Sequence, residues 1–243
     1  MKCIVLAAGY ATRLWPLTKN RPKGLLEVGN RPLVEHTLNE VLDLKDIDKV
    51  YVVTNNKFYP NFKKWSENFN SRIPIKIIND GTASNEDRLG AIGDLNFVIE
   101  KENIKDDILV INSDTLQDFS LKPVYDYFQK QKENLITITD VKTKRKAKKG
   151  LVVEIDENNK IIDCKEKPKR PKTTLYSMTI FFFPKKTLPK IDKYLKKGND
   201  PDAPGHFPEW LCKRDDIFAY KVDGKTIDVG TPERLKKARK LFY

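Results

Sequence analysis

Short apolar runs that alternate with longer helical stretches predict an α/β fold with a mixed, mostly parallel sheet flanked by helices. Three observations carry this. The runs of the first half show no polar alternation, as strands buried on both faces of a parallel sheet require. The stretches between them are long enough for the crossovers that parallel strands need. The second half is richer in strands and carries hairpin turn residues, which makes the sheet mixed.

Cys3 to Ala7 is the first strand, and Val50 to Thr54, Ile75 to Ile78 and Ile108 to Ile111 repeat its pattern. Helices are expected at Leu33 to Leu44, Phe58 to Phe69, Leu89 to Glu100 and Ser120 to Gln131. Leu135 to Val141 is a β-rich run, and a basic loop follows from Lys142 to Lys149. Leu151 to Ile155 and Lys160 to Asp163 form a hairpin with Asn158-Asn159 at its tip. Met178 to Phe183 is a strand that Pro184 closes. Thr187 to Leu195 reads as helix and Ile217 to Val222 as strand. Thr231 is a good N-cap for a last helix, Pro232 to Tyr243, with Pro232 at its first position and Glu233 in its first turn. Leu235, Ala238 and Leu241 give that helix an apolar stripe for packing. No linker composition interrupts the chain, so one domain over residues 1–243 is expected.

The chain has 243 residues, enough for a sizeable core, and 39% are hydrophobic. Recurring apolar runs exclude disorder. No stretch approaches the roughly 20 apolar residues of a membrane span. The run Ile4 to Ala8 is too short for a secretory signal. Cys3, Cys164 and Cys212 are widely spaced, which points to a reduced, cytoplasmic protein with no disulfide frame and no zinc cluster. The 46 Lys and Arg outnumber the 34 Asp and Glu, for a net charge of +12. Such a charge points to nucleic acid, a membrane surface or a polyphosphate substrate. Residues 142–172 hold twelve of the cations and five acidic residues, so seven of the net charges sit there. The basic loop has no aromatic on which a base could stack, which argues against nucleic acid.

The most informative stretch follows the first strand: Leu6-Ala7-Ala8-Gly9, then Thr12-Arg13-Leu14, Pro16-Leu17-Thr18 and Pro22-Lys23. Small residues let a ligand approach the backbone, whose N–H groups can cradle phosphate oxygens. Arg13 and Lys23 bring two cations to the same mouth. Ligands of open α/β sheets bind beyond the carboxyl ends of the strands, where this loop sits. Leu14 stands where a Walker A loop needs its second Gly, and Gly9 alone is no dinucleotide fingerprint.

The ordered pattern Leu-Ala-Ala-Gly-x-x-Thr-Arg-Leu-x-Pro-Leu-Thr-x-x-x-Pro-Lys resembles the signature of sugar-1-phosphate nucleotidylyltransferases, the NDP-sugar pyrophosphorylases. Leu89 to Gly93, Ile111 to Thr115, Glu166-Lys167-Pro168 and Asp228 to Glu233 resemble further motifs of that family, in the family's order. The resemblance implies a Rossmann-like fold of the nucleotide-diphospho-sugar transferase type. Residues 1–132 would form the nucleotide-binding half and residues 133–243 the acceptor-binding half. It implies an Mg2+-dependent enzyme that joins an NTP to a sugar 1-phosphate and releases pyrophosphate. A dTTP- or UTP-like pyrimidine is the favoured base and a homo-oligomer the expected assembly, with neither nucleic acid nor membrane as partner. The C-terminal β-helix domain of some relatives is not expected.

Residue by residue, the resemblance places Asp114 and Asp228 on the metal, and Arg13 and Lys23 in catalysis on the NTP phosphates. Leu6, Ala7, Ala8, Gly9, Asp80, Gly81, Gly90 and Ser113 fall to the nucleotide. Gly150, Glu166, Lys167 and Thr179 fall to the acceptor. The stretch Asp80 to Arg88 contacts base or ribose, or Asp87 caps the helix that follows. The loop Asp202 to Trp210 lines the acceptor site, or is a turn with a buried aromatic anchor. The family often has a Gly where Thr179 stands, so the acceptor half is open to other readings: cytidylyl transfer from CTP to a non-sugar phosphate or phosphonate. An inactive homologue and a nucleic-acid-binding protein are the remaining rivals, and the two aspartates and two N-terminal cations oppose the first of these.

Overall fold

The computed structural model describes residues 1–242. Tyr243, which the sequence includes in the last helix, lies outside the described residues. The first half contains β1 (Lys2–Leu6), β2 (Glu27–Val28), β3 (Arg31–Pro32), α1 (Leu33–Leu42), β4 (Lys49–Thr54), α2 (Tyr59–Asn68), β5 (Ile75–Asn79), α3 (Gly90–Lys101), β6 (Ile108–Asn112), β7 (Thr115–Gln117) and α4 (Lys122–Gln131). The second half contains β8 (Asn134–Asp140), α5 (Lys144–Ala147), β9 (Leu151–Ile155), β10 (Ile161–Glu166), β11 (Leu175–Phe183), α6 (Leu188–Lys196), α7 (His206–Leu211), β12 (Ile217–Lys221), β13 (Thr226–Asp228) and α8 (Pro232–Leu241). The apolar runs of the sequence are strands, within three residues at their ends: β11 begins three residues before Met178 and β10 runs three beyond Asp163.

One nine-stranded sheet runs through both halves, with main order β10-β9-β11-β6-β1-β4-β5. β1 pairs in parallel with β4 and β6, and β4 with β5. β11 then joins β6 antiparallel, and its other edge takes β8, which pairs in parallel with β12. The β11–β8 ladder has a register shift between Ser177 and Phe181, and the opposite edge of β11 serves two neighbours. Ile180 to Phe183 pair with β6, whereas Tyr176 and Ser177 pair with β9. Such an irregularity re-aims side chains, and Thr179 lies within it.

Period-two alternation along the strands feeds two cores. Ile4, Leu6 and Val110 pack with α3, α6 and α7 on one face. Cys3, Val5 and Val52 pack with α1, α2 and α4 on the other. A third, smaller core joins Leu14 and Leu26 of the N-terminal motif to Leu116, Ile227 and Leu235. This cluster bolts the motif, the ribbon β7–β13 and helix α8 together. No helix among the described residues is long and apolar enough to cross a membrane.

Three local expectations change. The basic loop is not irregular: Thr143 caps the short helix α5 by accepting from Lys146 N–H, and Ala147 is fully buried beneath it. Asp87 does not cap α3: its carboxylate accepts from the N–H groups of Ala83 and Ser84 and closes that turn. The segment around His206 is helix α7, anchored by buried Phe207, which stacks on Trp210.

Candidate active site

The N-terminal motif forms a tight loop because its turns are tied internally. Ala11 takes left-handed φ of 49°, and its carbonyl accepts from the Thr18 hydroxyl at 2.7 Å. Lys23 opens a one-turn 3-10 helix after Pro22. Gly24 lets the turn pack closely there: a Cβ would stand 3.0 Å from Ser113 Cβ and Oγ. Ser113, expected at the nucleotide, is buried in that contact.

The two acidic strand ends meet through the ribbon β7–β13. It sets Asp228 opposite Thr115, and Val229 N–H donates to the Asp114 carbonyl at 3.1 Å. Lys23 forms an ion pair with Asp114. Arg234, in the first turn of α8, donates to the Asp228 carboxylate at 2.7 Å. A Cβ on Gly230 would stand 3.5 Å from Asp228 Oδ2 and 3.6 Å from Arg13 Nη2, so Arg13 faces the same point.

Burial pushes the Asp228 carboxyl up, and Asp114 pushes it the same way, while Lys23 and Arg234 pull it back. Burial works against the Lys23 ammonium, but Asp114 and Asp228 outweigh it and hold its pKa above the ordinary value. Lys23 is therefore fully cationic at neutral pH. Asp114 and Asp228 are hard oxygen donors of the kind Mg2+ takes. Among the described residues no three His, Cys, Asp or Glu side chains gather to hold a metal. Water and phosphate oxygens would have to complete a shell on this pair.

Arg13, Lys23, Asp114 and Asp228 share one cleft of about 770 Å³ with Gly150, Glu166, Lys167 and Thr179. The structure thus brings the expected catalytic, metal and acceptor residues together. Glu166 is held from behind: its N–H donates to the Glu209 carboxylate of α7 at 2.9 Å. Gly205 backs onto it, where a Cβ would collide with the Glu166 carboxylate. Burial raises the Glu166 pKa, against the pull of Lys167 and His206. Lys167 is exposed, with left-handed φ of 43°, and its N–H donates to the Gly150 carbonyl at 3.0 Å. That φ is unusual for a side-chain-bearing residue and aims the ammonium at the cleft. Arg145, Lys146, Lys149 and Lys237 line the cleft as well, so a large share of the basic charge faces it.

The expected nucleotide residues divide. Leu6, Ala7 and Ala8 are buried, and their carbonyls accept from Ser113 N–H, Thr54 Oγ1 and Asn55 Nδ2. Gly9 and Gly81 stand open, with free space where a Cβ would be. Asp80 turns inward instead of toward a ligand: Oδ1 accepts from Thr82 N–H and Oγ1, at 2.7 and 2.8 Å. Gly90 has a packing reason to be glycine. Its Cβ would stand 2.6 Å from the Pro201 carbonyl, and Pro201 and Asp202 carbonyls take the Ile92 and Ala91 N–H groups. The helix start is covered by that loop.

Comparison with known proteins decides the assignment. A model of the family described as nucleotidyl transferase matches residues 2–242. The chain belongs to the nucleotidyl transferase family. Relatives of this family member include the bifunctional protein GlmU of Methanocaldococcus jannaschii, 30% identical over 99% of this chain and 54% of that one. A mannose-1-phosphate guanyltransferase of Aspergillus oryzae is 28% identical over 96% of this chain and 62% of that one. The chain spans about half to three-fifths of the length of the curated relatives it matches. A solved UDP-glucose pyrophosphorylase in complex with UDP-glucose superposes with a TM-score of 0.83 at 22% identity, covering 100% of this chain and 98% of that one. This last likeness is one of fold.

Sequence reasoning missed Arg234 and Glu209. Arg234 directly follows the motif that ends at Glu233, which is the only local signal for it. Glu209 carries none, because its partner Glu166 is distant in the chain.

Proposed function

We propose that this chain transfers the nucleotidyl group of an NTP to a sugar 1-phosphate and releases pyrophosphate. The convergence of Lys23, Asp114, Asp228 and Arg13 with Glu166 and Lys167 on one cleft carries this reading. Both substrates are anions, so the site must neutralise charge and hold the reacting groups in line. A phosphate oxygen of the sugar phosphate attacks the α-phosphorus, and the bond to the β-phosphate oxygen breaks. Lys23, fixed by its ion pair with Asp114, stabilises charge that develops on the α-phosphate. Arg13 takes the β- and γ-phosphates and then the leaving pyrophosphate. Lys167 holds the acceptor phosphate, and Glu166 accepts hydrogen bonds from its hydroxyls. Asp114 and Asp228 would hold Mg2+, which supplies neutralisation of phosphate charge when bound.

The open backbone at Gly9 and Gly81 supports a base contact made by main-chain groups, which suits the imide edge of a thymine or uracil. The Aspergillus oryzae relative, a mannose-1-phosphate guanyltransferase, supports guanine as the competing base. Pyrophosphate release from a matrix of NTPs and sugar phosphates, with and without Mg2+, tests the proposal. Turnover with dTTP or UTP and a hexose 1-phosphate, lost without Mg2+, is the expected result. Turnover with GTP alone would transfer the base assignment to guanine, and no turnover with any pair would overturn the proposal.

A further inference from the structure

Two of the three cysteines are neighbours in space although 48 residues separate them. Cys164 lies in β10, and Cys212 follows the last residue of α7. Their sulfurs stand 2.9 Å apart. A covalent bond needs about 2.05 Å, so a movement of under about 1 Å would close it. Cys164 is buried and also faces the Pro208 carbonyl at 3.5 Å, whereas Cys212 is partly exposed. Cys212 is thus the less buried residue of the pair, with its Sγ also donating to the Glu209 carbonyl at 3.3 Å. Cys3 is buried in the other core.

We infer that Cys164 and Cys212 form a reversible disulfide, a modification site that takes a small-molecule disulfide as its oxidant. The Cys212 thiolate attacks one sulfur of the oxidant and displaces a thiolate, which leaves a mixed disulfide on Cys212. Cys164 then gives its proton to solvent and attacks Cys212 Sγ, and the second thiol of the oxidant departs. Two protein thiols are oxidised and one small disulfide is reduced to two thiols, so atoms and electrons balance. The Cys164 hydrogen bond lowers the Cys212 pKa, which favours Cys212 as the attacking group, and hydrogen bonding and burial raise that of Cys164. The bond would staple α7 to β10 two residues before Glu166. It would thus fix the contact through which Glu209 holds Glu166.

The test treats the full chain with oxidised glutathione and maps its peptides without reduction. The expected product joins the Cys164 and Cys212 peptides, with a mass loss of about 2 Da that dithiothreitol reverses. Cys3→Ser should leave that product unchanged. Amide exchange in α7 should slow about tenfold on oxidation, since the staple blocks local opening. A glutathione adduct on Cys212 beside a free Cys164 would overturn the inference. So would two thiols that both stay open to alkylation under denaturing conditions after the treatment.

Discussion

Two pairs of aspartates sit in this molecule, and the chain treats them in opposite ways. Asp114 and Asp228 meet at the cleft with Lys23 on one and Arg234 on the other. Asp80 and Asp94 face each other between β5 and α3, and among the described residues no cation contributes to the Asp94 shift. Asp80 Oδ2 and Asp94 Oδ1 are buried without a hydrogen-bond partner among the described residues. Burial first, then the Asp80 charge and the hydrogen bond that protonated Asp94 donates to it, push Asp94 up to about 8. One proton between the two carboxyl groups gives both orphan oxygens a partner. The first pair is compensated by cationic side chains, Lys23 and Arg234. The second is compensated by a proton, which makes a clasp. It ties α3 to the segment where Tyr10 Oη and Asn56 N–H donate to the Thr82 carbonyl, next to Gly81.

The comparison breaks most directly at the cleft pair. Asp228→Asn and Asp114→Asn should each lower turnover by about 10³-fold, a loss of about 4 kcal/mol in the transition state. Pyrophosphate release checks the rate, and an unchanged thermal melt checks the fold. If either variant kept full turnover, the cleft pair would be structural like its counterpart.

The cations come next. Lys23→Ala and Arg13→Ala should lower turnover by about 10²-fold, if each supplies about 3 kcal/mol. The loss should appear in kcat more than in KM, because these charges act as the phosphate charge develops. A rate close to that of the unaltered chain would remove the residue from catalysis.

The smallest effect sharpens the clasp. The Asp94 pKa rises from about 3.8 to about 8 on folding, so the folded state binds the proton more tightly. Its contribution to stability is complete below the unfolded value and is lost as pH rises through about 8. Stability should fall with pH across that window, by up to about 1.4 kcal/mol per unit. Asp94→Asn supplies a donor with no titration. Thermal melts between pH 6 and 9 should therefore be flatter for Asp94→Asn than for the unaltered chain. Equal slopes would dissolve the contrast between the two pairs.

Much of the frame was legible. The strands β1, β4, β5 and β6 are continuous apolar runs, because both faces of a parallel sheet are buried. The cap Thr231 and the first-turn Pro232 were local chemistry and appear as read. Arg13, Lys23, Asp114 and Asp228 stood in motifs, each visible on its own stretch of chain. The errors were local as well. α5 looked like a charge run because one buried residue, Ala147, and one cap, Thr143, decide it. At Gly90 the sequence does not say which backbone approaches, and the structure puts Pro201 and Asp202 there.

The sequence by itself determined the periodicity of the elements, the identity of the charged groups and the order of the motifs. Only the tertiary structure decided which of those groups meet. Asp114 faces Asp228 because β7 pairs with β13, and Glu166 meets Glu209 because α7 packs on β10. Cys164 meets Cys212, and Asp80 meets Asp94, across separations that no local pattern encodes. The physical reason is that periodicity and capping act within a few residues, whereas strand order is set by burial of the whole sheet.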